Sequence, residues 1–250
     1  MLFRLNAFVL LAFLSHCFFS QQASAQDSEA SWSEKIEKFL SEGKTAEALS
    51  AADKVVEANP KSWSVYLMRG GVRFRAGKLD ESLADFDRSI ALDPQSEAHN
   101  WQRGIALYYA KKYQEGREQF ELHRRVNPND VENSVWHFMC VAKLDGPEKA
   151  RAVLIPSAGD SRPPLMDVLE LFRGKKTPEE IANVAEKYKA GTRTGDTARF
   201  YGYLYIGLYY EAIGDDKLAR EWITKSLETK TGGYMADVGR FHLQYYKQAK

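Results

Sequence analysis

The sequence predicts an all-α protein built from stacked helical hairpins, and three observations carry that prediction. Pro60, Pro94 and Pro128 are spaced by 34 residues; glycines recur in the same frame, Gly43 with Gly77 and Gly70 with Gly104; and Phe86 and Phe120 hold one further phase. Each interval reads as a helical pattern, a glycine-containing break, a second helical pattern and a proline. Glycine supplies the left-handed residue that ends a helix, and proline stops the next one. A hairpin of this size cannot bury its apolar face alone, so adjacent units must stack into a solenoid.

In chain order, the first segment predicted is a secretory leader over 1–25. It has a basic residue at Arg4, an apolar stretch centred on Ala7 to Leu14, and small residues at Ala23 and Ala25 before Gln26. Cleavage near Ala25 would leave a secreted or periplasmic chain with 34 basic and 34 acidic residues. Lipid anchoring at Cys17 is the minor alternative, because His16 stands where a small residue is required; membrane anchoring is therefore not expected. After cleavage Cys140 is the only cysteine, which excludes an intrachain disulfide and suits a small buried side chain on a helix.

Repeat units are expected over 26–155, at about 29–62, 63–96 and 97–130, with a degenerate unit at 131–155 that Asp145-Gly146-Pro147 cuts short. Irregular helices and loops follow over 156–195. There Thr177, before Pro178 and three residues ahead of Glu180, has the pattern of a capping box. A loop from Ala190 to Asp196 leads into a C-terminal unit and capping helix over 196–250, where Gly207, Gly214, Ala219 and Ile223 return to the earlier phases. The period and residue usage resemble the tetratricopeptide repeat, which implies a right-handed superhelix whose first helices line a concave face.

A narrower resemblance rests on Arg103-Gly104-Ile105-Ala106-Leu107-Tyr108-Tyr109, Asn127-Pro128-Asn129-Asp130, Ser134-Val135-Trp136, Phe200-Tyr201 and Gly207-Leu208-Tyr209-Tyr210. These runs look like the NlpI family of bacterial envelope repeat proteins. The resemblance implies a non-enzymatic adaptor that recruits cell-wall hydrolases or a protease, often as a homodimer. Members of that family are usually lipid-anchored, and the Leu14-Ser15-His16-Cys17 context departs from that pattern.

Composition narrows the partners. Lysine and arginine number 35 against 34 aspartates and glutamates, so no net positive field draws a polyphosphate backbone, and nucleic acid is not an expected partner. The spacings of zinc hydrolases, nucleophile elbows and phosphate loops are absent, and no catalytic residue, metal or cofactor is expected. Protein partners remain. At the phases that family geometry assigns to the concave face stand Leu67 and Phe74; Trp101, Gln102, Tyr108 and Tyr109; Trp136 and Met139; and Tyr205. Tryptophan and tyrosine are enriched where binding energy concentrates. These residues form the predicted protein-binding groove, with interhelix core or a dimer contact the equal alternative for any one of them; alanine at Trp101 or Tyr108 is expected to abolish binding without unfolding the chain, and unfolding would mark them as core. Two rival readings are a homo-oligomeric structural subunit with no foreign ligand and a glycan-acting enzyme with carboxylates spread across the groove.

Overall fold

The computed structural model describes residues 31–248; the leader, its cleavage at Ala25 and Cys17 lie outside the described residues. Those residues form fourteen helices, one of them 3₁₀, and no strand. The chain divides into two compact units at Pro60. The first contains α1 (31–41) and α2 (Thr45–Ala58), joined by a turn in which Gly43 takes φ +72°. Along α2, Ala48, Ala51, Ala52, Val55 and Val56 fall at helical spacing and make its buried stripe.

The second unit opens with α3 (Trp63–Arg75) and α4 (Leu79–Leu92), then a 3₁₀ turn (Pro94–His99) capped by the Asp93 side chain. Next come α5 (Trp101–Tyr109), capped by Asn100, and α6 (Tyr113–His123). Within each hairpin a glycine of the first helix faces an aromatic ring sixteen residues on. A Cβ placed on Gly70 would sit 2.7 Å from the Phe86 ring, and one on Gly104 would sit 2.6 Å from Phe120. The same relation joins Gly207 to Ile223 in the C-terminal hairpin. A second repeated link is polar: Arg69 donates two hydrogen bonds of 2.8 Å to Asp85, and Arg103, one period on, donates to Gln119 at 3.2 Å.

One turn departs from the frame. Gly77 joins α3 to α4 with φ +79°, but the equivalent position between α5 and α6 is Lys111, at φ +60°. The backbone still closes the helix end, Lys111 N–H bonding Tyr108 O and Lys112 N–H bonding Leu107 O. An L-residue with a Cβ is strained there, by about 1–2 kcal/mol. Lys111→Gly is therefore expected to stabilise the fold by about 1 kcal/mol, less glycine's own entropy cost, and raise the melting temperature by a few degrees. A thermal melt reads this directly; a destabilised variant would mean that the Lys111 side chain contributes contacts outweighing the strain.

Beyond the hairpins, α7 (Val131–Asp145) is buried on nearly every face from Asn133 to Val141, so it forms the spine of the unit. Gly146, at φ +88°, ends it, and the short α8 (Pro147–Ala152) follows. A loop leads to α9 (Leu165–Phe172) and α10 (Pro178–Glu186), where the capping box at Thr177 is formed in both directions. The loop after α10 is shorter than the sequence suggests: α11 (Arg193–Ala212) begins at Arg193 because Thr192 Oγ1 accepts from Gly195 N–H at 3.1 Å. Finally α12 (Asp216–Leu227) pairs with α11, and α13 (Tyr234–Gln248) packs against α12 and α3.

Candidate binding cavity

The site begins at the N-terminus of α7. Asp130 is its N-cap, with Oδ1 accepting from Glu132 N–H at 3.1 Å, which places two carboxylates two residues apart at the helix start. The proline-rich loop before α9 brings Arg162 to them. Its guanidinium bonds Asp130 Oδ1 (2.8 Å), Glu132, and both oxygens of Asp160 (2.9 and 2.6 Å). Asp160 also accepts from Val131 N–H at 3.3 Å, tying the loop to the helix.

Three carboxylates sharing one cation divide unequally. Burial works against ionised Asp160, yet hydrogen bonds and charge from Arg162 hold its carboxyl below the usual value. Glu132 goes the other way: burial pushes it up to about 7, because its share of Arg162 is offset by the neighbouring Asp130 charge. Tyr205 donates its hydroxyl to the second Glu132 oxygen.

The two opposite shifts give opposite pH windows. The raised Glu132 stabilises the folded state below its ordinary pKa of 4.5, and that contribution is lost as pH rises toward about 7; the lowered Asp160 contributes above 3.8 and is lost below it. Across the first window the Glu132 effect is on the order of 3 kcal/mol. Glu132→Gln is therefore expected to gain stability relative to wild type as pH rises from 5 to 8, as measured by urea denaturation at each pH. A pH-independent difference would show that Glu132 is ionised throughout.

Around this polar wall lies a cavity of about 370 Å³. Trp101 and Tyr234 meet edge to face at 5.1 Å on one side, and Tyr201, with the Arg162 guanidinium 5.7 Å over its ring, stands on another. Asn133, His123 and Trp136 belong to the buried part of the lining, together with the apolar Ile105, Phe120, Phe200 and Met235. Asn133 donates its amide to Phe120 O at 3.1 Å, and His123 donates Nδ1–H to Ala98 O at 2.8 Å. Asn133 Oδ1, His123 Nε2 and Trp136 Nε1 have no partner in the protein.

The groove predicted from sequence is largely filled by the chain itself. Phe74 stacks on Phe241 at 4.6 Å, and the same Phe241 meets Tyr109 edge-on at 4.9 Å. Tyr109 Oη pairs with His242 Nδ1 at 2.8 Å, and Tyr108 donates to Glu211. Met139 and Tyr205 are fully buried. Reading Phe74, Tyr108, Tyr109, Met139 and Tyr205 as an open surface is therefore corrected: all five are buried, Phe74 and Tyr109 against α13 and Tyr108 against Glu211 of α11. Leu67 and Gln102 are half-buried. Of the predicted residues, the structure brings Trp101 and Trp136 together at the cavity, with only Trp101 partly open to solvent.

Sequence reasoning missed Arg162, Asp130, Glu132, Asn133, His123 and Tyr234 as site residues. Their one local signal is a lone arginine after an aspartate in a proline-rich loop. The remaining polar groups serve the core. Burial pushes the Cys140 thiol well above its ordinary value, as suits an inert packing residue. Among the described residues no cluster of histidine, cysteine, aspartate or glutamate could hold a metal ion, and no helix is long and apolar enough to cross a membrane.

Residues 36–97 match the family model described as Tetratricopeptide repeat. Among solved structures, a MamA fragment from Desulfovibrio magneticus RS-1 is 14% identical, with a TM-score of 0.48 over 80% of this chain and 93% of that one. A second MamA crystal structure gives 16% identity and 0.45 over 80% and 91%. The Naa15/Naa10 complex bound to HypK-THB gives 15% and 0.42 over 88% of this chain and 34% of that one. No curated protein matches the chain. At such identities no residue's role carries over to this chain.

Proposed function

We propose that the protein is an exported, non-enzymatic adaptor of the cell envelope, binding hydrolases or a protease that act on the cell wall. The observation that carries the protein-binding part is the tetratricopeptide repeat and its stacked hairpins, a fold whose extended faces serve association. The envelope part rests on the order of residues in 1–25 and on the NlpI-like runs from Arg103 to Trp136 and from Phe200 to Tyr210. Half-buried Trp101 at the mouth of a cavity gives this scaffold a discrete place to engage a partner.

The test is capture of partners from envelope extract by the purified chain, with mass spectrometry of what is retained and N-terminal sequencing of the exported form. Cell-wall hydrolases or a protease in the bound fraction, with a chain starting at Gln26, is the expected result. A chain that retains nothing and runs as a closed homo-oligomer by native mass would replace the adaptor with a structural subunit. An acylated Cys17 would move the site of action to a membrane surface.

A further inference from the structure

We propose that the cavity under Trp101 receives a lysine or arginine side chain from an extended segment of a partner protein. This rests on the protein-binding reading above and gives that reading a ligand chemistry. Charge is the first argument. Asp130 and Glu132 line the cavity and Asp160 backs them, while Arg162 is the only lysine or arginine in the lining. That guanidinium is engaged at Nε and at both terminal nitrogens by carboxylates, so it acts as an internal counter-ion rather than an anion receptor. The local balance is acidic, and a cation entering it is favoured over an anion.

The walls are the second argument. Trp101, Trp136, Tyr201 and Tyr234 surround the space, and aromatic faces attract ammonium and guanidinium groups through the ring quadrupole. Size agrees: about 370 Å³ is at the lower end of the roughly 300–1,000 Å³ of ligand pockets. Gly232 and Gly233, exposed at the rim, leave room for an extended backbone to pass.

Capped tripeptides Gly-Xaa-Gly with arginine, lysine, norleucine or glutamate at the centre test this on the purified full chain, by calorimetry and by the fluorescence of the lining tryptophans. Arginine or lysine should bind at least tenfold more tightly than norleucine, and glutamate most weakly. Asp130→Asn keeps the helix-capping acceptor and removes the charge, and it should weaken the arginine peptide about tenfold. Trp101→Leu provides an independent arm and should weaken it comparably, with melting curves confirming that both variants fold. Equal binding of norleucine, preference for glutamate, no binding of any peptide, or insensitivity to both substitutions would overturn the proposal. If the peptides fail while envelope partners are still captured, the pocket assignment falls and the adaptor stands; if arginine binds and nothing is captured, the reverse holds.

Discussion

Gly207→Ala is expected to destabilise the protein by about 3 kcal/mol and to lower its melting temperature by roughly 6 to 12 °C. The added Cβ would lie 2.5 Å from Ile223 Cγ1, 2.9 Å from Ala219 O and 3.0 Å from Ile223 N. Two of those atoms are backbone of α12, so no side-chain rotation relieves them, and the two helices must separate. The helix-propensity gain of alanine over glycine, about 1 kcal/mol, opposes but does not cancel this. Gly104→Ala meets only the Phe120 ring, at 2.6 Å, and should cost less. Gly159 has open space on all sides and a φ outside the left-handed region, so Gly159→Ala should leave the melt unchanged within about 0.5 kcal/mol. Thermal unfolding of the three variants ranks them; Gly207→Ala melting with wild type would show that α11 and α12 are not packed as described.

The close approach of the two helices at such glycines is visible in the sequence, whereas the backbone facing Gly207 is not. Gly104 and Phe120, like Gly70 and Phe86, recur in a fixed frame because close helix approach needs a missing side chain opposite a large one, and both partners lie within a single hairpin. Local constraints of this kind are legible: the Thr177 capping box spans four residues, and the Gly77 turn needs only one. The cover over the groove was not legible. Tyr109 meets His242 across 133 residues of chain, and nothing in the spacing of Tyr234, Phe241 and His242 tells an amphipathic end cap from a helix that folds onto α3. The cavity escaped for the same reason, since its charge depends on where the loop carrying Asp160 and Arg162 meets the start of α7. Lys111 shows the converse: the frame calls for glycine, and a lysine holds the same backbone shape at an energetic cost.

Tyr108→Ala and Trp101→Ala, which the sequence treats as equivalent, should diverge. Tyr108 is 3% exposed, with its ring 5.5 Å from Trp136, 5.3 Å from Tyr109 and 5.5 Å from Tyr113, and its hydroxyl donates to the buried Glu211. Removing so large a buried ring costs about 3–5 kcal/mol. The loss also strips one hydrogen bond from a carboxylate held by Lys143 at 3.2 Å and facing His242 at 3.5 Å, so the contacts between α5, α11 and α13 weaken together. Trp101 sits at the start of α5, half-buried, with one edge contact to Tyr234. Its removal should cost no more than about 1–2 kcal/mol, since the site can fill with water rather than collapse. Urea denaturation of the two variants, alongside partner capture, separates the roles: Tyr108→Ala should lose stability first and binding only through unfolding, whereas Trp101→Ala should stay folded and lose binding. Should Tyr108→Ala keep wild-type stability while losing its partner, α13 would have to leave the groove in solution, and the aromatic face beneath it would be the recognition surface after all.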